Sequence, residues 1–167
     1  MKVNSLNIRK IFTTNSLQTI EVTVETDNVK TSASVPIGTS RSKYEVNYLP
    51  ADEAIQKFNF VRRYFSRNDF ADQQEVDKVL RTIDPTPEFK NIGGNVALAI
   101  SSACLKAFAA EQEKEVFEFL AKKDKVNLPK PLCNVVGGWK KQSDFQEYLL
   151  LPVHQKSFFE SIEKISN

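Results

Sequence analysis

The residues of this chain that could do chemistry fall in three polar stretches set between apolar runs. In PLCNVVGGWKKQSDFQEYLLLPV, residues 131–153, two runs fit for buried strands, LCNVVG and FQEYLLLPV, flank a polar loop. Gly137 and Gly138 open that loop, Lys140 and Lys141 lie in it, and Glu147 interrupts the second apolar run. A carboxylate so placed is either a proton-transfer group at the mouth of a site or a strand-edge acid facing water. In SVPIGTSRSKYE, residues 34–45, a strand ends at Pro36 and a loop with Gly38, Thr39, Ser40 and Ser42 follows. It is either a solvated connection or a lid able to close over a ligand; with Lys140 and Lys141, its 37–43 portion could draw an anion. In IGGNVALAI, residues 92–100, a Gly pair and Asn95 serve a helix start and tight packing, without the spacing or the trailing Lys-Ser or Lys-Thr of a phosphate loop.

The remaining reactive side chains offer less. His154 is the only histidine, follows LPV and starts a loop, and nothing around it supports a Ser-His-Asp or Cys-His arrangement. Cys104 and Cys133 both lie in apolar surroundings and read as buried free thiols. One histidine and two distant cysteines do not make a tetrahedral zinc site. A net charge of +2 over 167 residues gives no reason to expect binding to nucleic acid or an anionic membrane. The N-terminus has no apolar core of signal-peptide length, and the run 96–110 is interrupted by Lys106 and too short to span a bilayer. A reduced, cytoplasmic protein is the expectation.

The elements that must position these stretches follow from periodicity. In TIEVTVET, residues 19–26, Ile20, Val22 and Val24 alternate with polar residues, which puts the aliphatics on one face of a strand. Residues 6–12 precede it as a strand, with a turn at 15–16. Asp27 and Asn28 suit a left-handed turn, and 30–36 form a third strand with Ala33 and Val35 inward. Helices are predicted over 51–69, from the spacing of Ile55, Phe58, Val61 and Phe65, and over 71–83, ended by Asp84-Pro85. Two more are predicted over 94–112, buried nearly all round, and over 115–123. After NLPKP come the two apolar strands and a helix over 156–166. The expected fold class is α+β, with a three-stranded antiparallel meander packed on a helical bundle. The expected division is a domain of residues 1–126 and a β-β-α appendage of residues 127–167.

In order and in register, five stretches resemble the N-terminal third to half of enolase. RKIF and TIEVTVET are similar to the family's first hairpin, and ASVPIGTSRSKYE to its loop SVPSGASTGxxE. QQEVDKVLRTIDPTPEFKNIGGNVALAISSACLKAFA is similar to DQxxIDxxLxxLDGTxNKxxLGANAxLxxSxAxxKA, LPKPLCNVVGGW to LPVPxxNVINGG, and FQEYLLLPV to MQEFMILPV. The resemblance covers essentially the whole chain and implies an enolase N-terminal-like domain followed by the first two strands and first helix of a barrel.

The resemblance also implies roles. The serine matching Ser40 helps bind the second magnesium when the family's loop closes, and the acid matching Glu147 assists proton transfer to the leaving hydroxyl. Departures accompany both. Ile37, Thr39, Arg41 and Ser42 replace Ser, Ala, Thr and Gly around Ser40. The hairpin turn DSRGNPT is here TTNSLQT, and the HAGN run with its substrate-contacting histidine is replaced by WKKQSD. Enolase chemistry needs two magnesium ions and a lysine base, which lie with the substrate-binding Arg and Ser on later barrel strands. The chain ends at Asn167 ahead of them, and one Ser with one Glu cannot furnish six oxygen ligands.

The expectation is therefore a non-catalytic enolase-like protein with an interaction or regulatory role. No cofactor is expected for the chain alone, and magnesium only if a barrel partner completes the site. The alternative is the N-terminal part of a split or truncated enolase, converting 2-phosphoglycerate to phosphoenolpyruvate only with a barrel chain. The expected partner is a protein or a second copy, met through the 131–153 strands or through the N-terminal sheet, where Arg9 and Glu21 match residues the family uses to dimerise.

Overall fold

The computed structural model describes residues 1–38, 41–121, 126–138, 145–154 and 156–166. They fall into two compact units, Met1–Lys122 and Lys123–Asn167.

The first unit is built on a three-stranded antiparallel sheet, β2 (Ser5–Phe12), β3 (Gln18–Glu25) and β4 (Lys30–Ser34), in the order β2-β3-β4. Its register sets Ile8 opposite Val22 and Val22 opposite Ala33, so the period of two becomes one apolar face. Ile20, Val22 and Val24 are buried completely on it. The other face is polar, and Arg9 Nε reaches Glu21 Oε1 across strands at 2.6 Å. The β2–β3 turn closes with Ser16 in the left-handed region, at φ 59°. The β3–β4 turn does not follow the expected left-handed conformation at Asp27 and Asn28. It is held by Thr26, whose N–H donates to the Val29 carbonyl and whose Oγ1 accepts from the Asn28 and Val29 N–H groups.

Among the described residues four α-helices complete the unit: α1 (Ala51–Val61), α2 (Gln73–Ile83), α3 (Gly94–Glu111) and α4 (Val116–Leu120). The predicted helix over 51–69 is corrected. Its α-helical part ends at Val61, a 3-10 turn covers Arg62–Tyr64, and Arg67 turns left-handed at φ 66°. The tighter turn carries Phe65 into the core, where it stacks on Phe70 at 5.4 Å between ring centroids. It also frees β5 (Asn68–Asp69) to pair with β1 (Lys2–Val3), a ribbon not legible in the sequence. Helix α2 starts where the Asp72 carboxylate accepts the Glu75 N–H, an N-cap worth about 1 kcal/mol. Helix α3 is the central element, packed on β3, β4, α1, α2 and α4. Its small residues let it sit that close, and Val96, Ala99, Ile100, Ala103, Cys104 and Ala107 are fully buried.

The second unit holds β6 (Cys133–Gly137), β7 (Glu147–Leu150) and α5 (Phe158–Ser166). The two strands pair antiparallel, with a bulge between Asn134 and Val136 that leaves Val135 without an opposite residue. All four residues of β7 are exposed, as are Val135 and Val136. The expectation that both cysteines are buried is met at Cys104 only. Cys133, on this open hairpin, is half-buried, and both thiols are free.

Candidate functional site

The segment between β4 and α1 is tied down at both ends, by β3 at its start and largely by the Gly-Gly-Asn start of α3 at its end. The Val35 N–H donates to the Ile20 carbonyl, and the Thr19 hydroxyl donates to the Val35 carbonyl at 2.7 Å. With that one proton spent, the Tyr48 hydroxyl, 2.8 Å away, is the donor to Thr19 Oγ1. At the far end Asn95, 2 % exposed, clamps one backbone position. Its Oδ1 accepts the Leu49 N–H and its Nδ2 donates to the Leu49 carbonyl. Asn47 donates its N–H to the Glu88 carbonyl and accepts the Gly94 N–H at 2.6 Å.

Both glycines are required there. Gly93 sits at φ 87°, and a Cβ on Gly94 would lie 2.3 Å from Val46 Cγ2. Packing of the segment and a helix start, rather than an anion, account for this motif.

Beneath the segment, against α2 and α3, lies a cavity of about 600 Å³. Its walls include Val46, Leu80, Phe89, Ala97 and Leu98, with Arg41, Glu45, Asp77 and Arg81 among its polar groups. Arg41 lies 5.7 Å from the centre of the Tyr48 ring. Asp77 accepts from the Ser101 hydroxyl at 2.7 Å and from Gln73 Nε2 at 3.1 Å.

Asp84 organises the wall that carries Phe89. It is fully buried, and its two carboxylate oxygens accept five hydrogen bonds. Oδ1 takes the Thr86 N–H, the Thr86 hydroxyl at 2.6 Å and Asn91 Nδ2, and Oδ2 takes the Asn91 and Ile92 N–H groups. Burial pushes this carboxyl up, but the Thr86 hydroxyl and the Ile92, Asn91 and Thr86 N–H groups together outweigh it and hold it below the ordinary aspartate value. The Cys104 thiol moves the other way. Burial, with a smaller push from the Asp77 carboxylate, raises it to about 12, so it stays a neutral thiol.

Of the residues singled out from sequence, Gly38, Arg41 and Asn95 line this cavity, and Glu147 and His154 belong to the second unit. Ser40, with Thr39 of the same loop, lies outside the described residues, as do Lys140, Lys141 and the rest of WKKQSD. Glu147 is the first residue of β7 in the second unit, exposed and opposite Gly137. His154 is exposed in the loop that follows. Magnesium demands six oxygens in near-octahedral order. Among the described residues no three His, Cys, Asp or Glu side chains come together. No helix among the described residues is long and apolar enough to cross a membrane.

Sequence reasoning missed the cavity, the Asp84 network and the conformation of Phe89. The available signal was the Asp84-Pro85-Thr86 run, which reads as a helix stop and hides its acid's second task.

Comparison with known proteins adds the lineage. The profile described as "Enolase, N-terminal domain" matches residues 3–120. The enolase of Pyrobaculum aerophilum is 34% identical over 97% of this chain and 42% of its own length. That of Methanothermobacter thermautotrophicus is 31% identical over 96% of this chain and 40% of its own, and that of Helicobacter pylori 28% identical over 97% and 42%. The chain thus spans about 40% of the length of the curated relatives it matches. A meander backed by a buried central helix, in the α+β arrangement expected, and a profile match over most of the chain lead to one conclusion: this chain belongs to the enolase family, through its N-terminal domain.

Proposed function

We propose that this chain is a non-catalytic enolase-like protein that works by protein association, through the strands of residues 131–153. The supporting observation is the β6–β7 hairpin, where Val135, Val136, Tyr148, Leu149 and Leu150 are all exposed. A two-stranded ribbon is marginal in water unless a third strand or another surface covers it. Its outer edges carry backbone donors and acceptors that pair readily with another strand. A contiguous apolar surface of this kind marks a contact site. The partner is a second copy or a protein carrying an enolase-type barrel, and the setting is the cytoplasm. The polar face of the β2–β3–β4 sheet, with Arg9 and Glu21, is the secondary contact.

A second reading is favoured by the similarity running on past the N-terminal domain to 97% of the chain. In it the chain is the N-terminal part of an enolase active only with a barrel. Ser40 then contributes to the second magnesium and Glu147 assists departure of the hydroxyl, while the barrel supplies the metal cage and the base.

Sedimentation over a rising concentration series, with Leu150→Lys as control, tests association. Self-association or binding to a barrel chain, lost in L150K, supports it. A strict monomer that also ignores the barrel sinks it. Dehydration of 2-phosphoglycerate with magnesium, by the chain alone and mixed with the barrel portion of the Methanothermobacter enolase, separates the readings. Turnover by the chain alone overturns the first, and turnover only in the mixture establishes the second.

A further inference from the structure

We propose that the cavity between α2, α3 and the segment before α1 binds an amphipathic carboxylate, an apolar chain or ring ending in one carboxyl group. The volume of about 600 Å³ lies within the roughly 300–1,000 Å³ of small-molecule pockets. Leu98 is 51 % exposed on a largely buried helix, and Val46, another lining residue, is exposed too, so apolar surface is open inside a concavity. Covering it releases about 25 cal/mol for each Å² removed from water.

The polar end is chosen by Arg81. Its Nη1 donates to the Thr86 carbonyl at 3.0 Å and the Pro87 carbonyl at 3.3 Å, and its guanidinium lies 3.7 Å from the centre of the Phe89 ring. Those contacts fix the plane of the fork. Its Nε and Nη2 donate to no protein atom among the described residues, and these two form the edge that grips a carboxylate in a bidentate way. Asp77, one turn earlier on the same helix, makes no ion pair with Arg81. Its carboxylate is turned to Ser101 and Gln73 instead, so the arginine keeps its charge for a ligand. Arg41, beside the Tyr48 ring, is a second cation in the lining, which also includes Glu45.

The backbone of Phe89 is the independent sign. A bulky aromatic at φ 52° sits in a region costing on the order of 1–3 kcal/mol, and such strain collects where a side chain must be held in one place. Here the conformation holds the ring under Arg81 and in the cavity wall.

The test is a ¹⁵N NMR titration of the whole chain with decanoate, and with decyltrimethylammonium as the cation of like length. Decanoate is expected to shift the amides of residues 46, 81, 89 and 97–98 saturably, and the cation to leave them unmoved. Arg81→Gln is expected to weaken decanoate by at least about tenfold, the value of one charge-assisted contact. Leu98→Asp, at an exposed position, is expected to abolish binding with far-UV circular dichroism unchanged, and gives a test should R81Q fail to fold. Non-saturable shifts, equal binding of the cation, or unchanged affinity in L98D overturn the proposal. None of these outcomes depends on association through the 131–153 strands, which sedimentation reads separately.

Discussion

Replacing Asp84 by asparagine keeps the shape of the side chain and exchanges one acceptor oxygen for an amide donor. The exchange is costly at either position. An NH2 in place of Oδ2 would face the Asn91 and Ile92 N–H groups, now 2.7 and 3.0 Å from an acceptor. An NH2 in place of Oδ1 would face the Thr86 N–H and Asn91 Nδ2 and lose a 2.6 Å bond to the Thr86 hydroxyl. Either way two donors, of which only the Ile92 N–H is fully buried, lose a charged acceptor, at roughly 1.5–3 kcal/mol for each hydrogen bond to a charge. Allowing for relaxation of the 86–91 loop, D84N should lose roughly 3–5 kcal/mol, a large part of the 5–15 kcal/mol of an ordinary domain. Urea unfolding followed by circular dichroism reads this as a lower midpoint with unchanged slope. The pH dependence has a definite sign. The folded carboxyl titrates below its unfolded value, so its contribution is present above the ordinary aspartate value, near 3.8, and is lost as pH falls through the folded one. The mutant should accordingly show a flatter acid limb. A loss below about 1 kcal/mol, or an acid limb identical to the parent's, would refute the view that this carboxylate organises the loop.

Three further outcomes follow from the same contacts. Gly94→Ala puts a Cβ 2.3 Å from Val46 Cγ2 and should cost about 1–3 kcal/mol in chemical denaturation, because the clash is with a side chain braced by neighbouring backbone bonds. Asn95→Asp keeps the acceptor for the Leu49 N–H but faces the Leu49 carbonyl with a buried charge. It should lose about 2–4 kcal/mol, read from the thermal midpoint, with the loss reduced at acid pH. A thiol reagent at pH 8 should label Cys133 quickly in the native chain and Cys104 only in denaturant, counted by intact mass, since Cys104 is buried and raised to about 12.

Patterns with a short repeat were legible in the residues alone. Alternation at 20, 22 and 24 specified a strand and which face it buries, and the register only supplied its neighbours. The small-residue run from Val96 to Ala107 specified a buried helix, and Asp84-Pro85 specified where α2 stops. The apolar spacing that suggested a helix to residue 69 was a true burial pattern with the wrong backbone. Phe65 is buried as predicted, but by a 3-10 turn and its stack on Phe70. Periodicity reports which residues avoid water and not which hydrogen bonds hold them there.

What the amino-acid order by itself determined is lineage, fold class and the rough placing of the longer elements, since these rest on local propensity and on a burial period each segment carries within it. Only the tertiary structure decided that Asp84 closes a loop with both oxygens, that Asn95 grips Leu49 forty-six residues away, and that Arg81 and Phe89 share the wall of a cavity. Those arrangements depend on distances between parts of the chain with no common period. A buried polar group finds its partners wherever the fold brings unsatisfied donors within 3 Å of it, and that proximity is a property of the packed molecule.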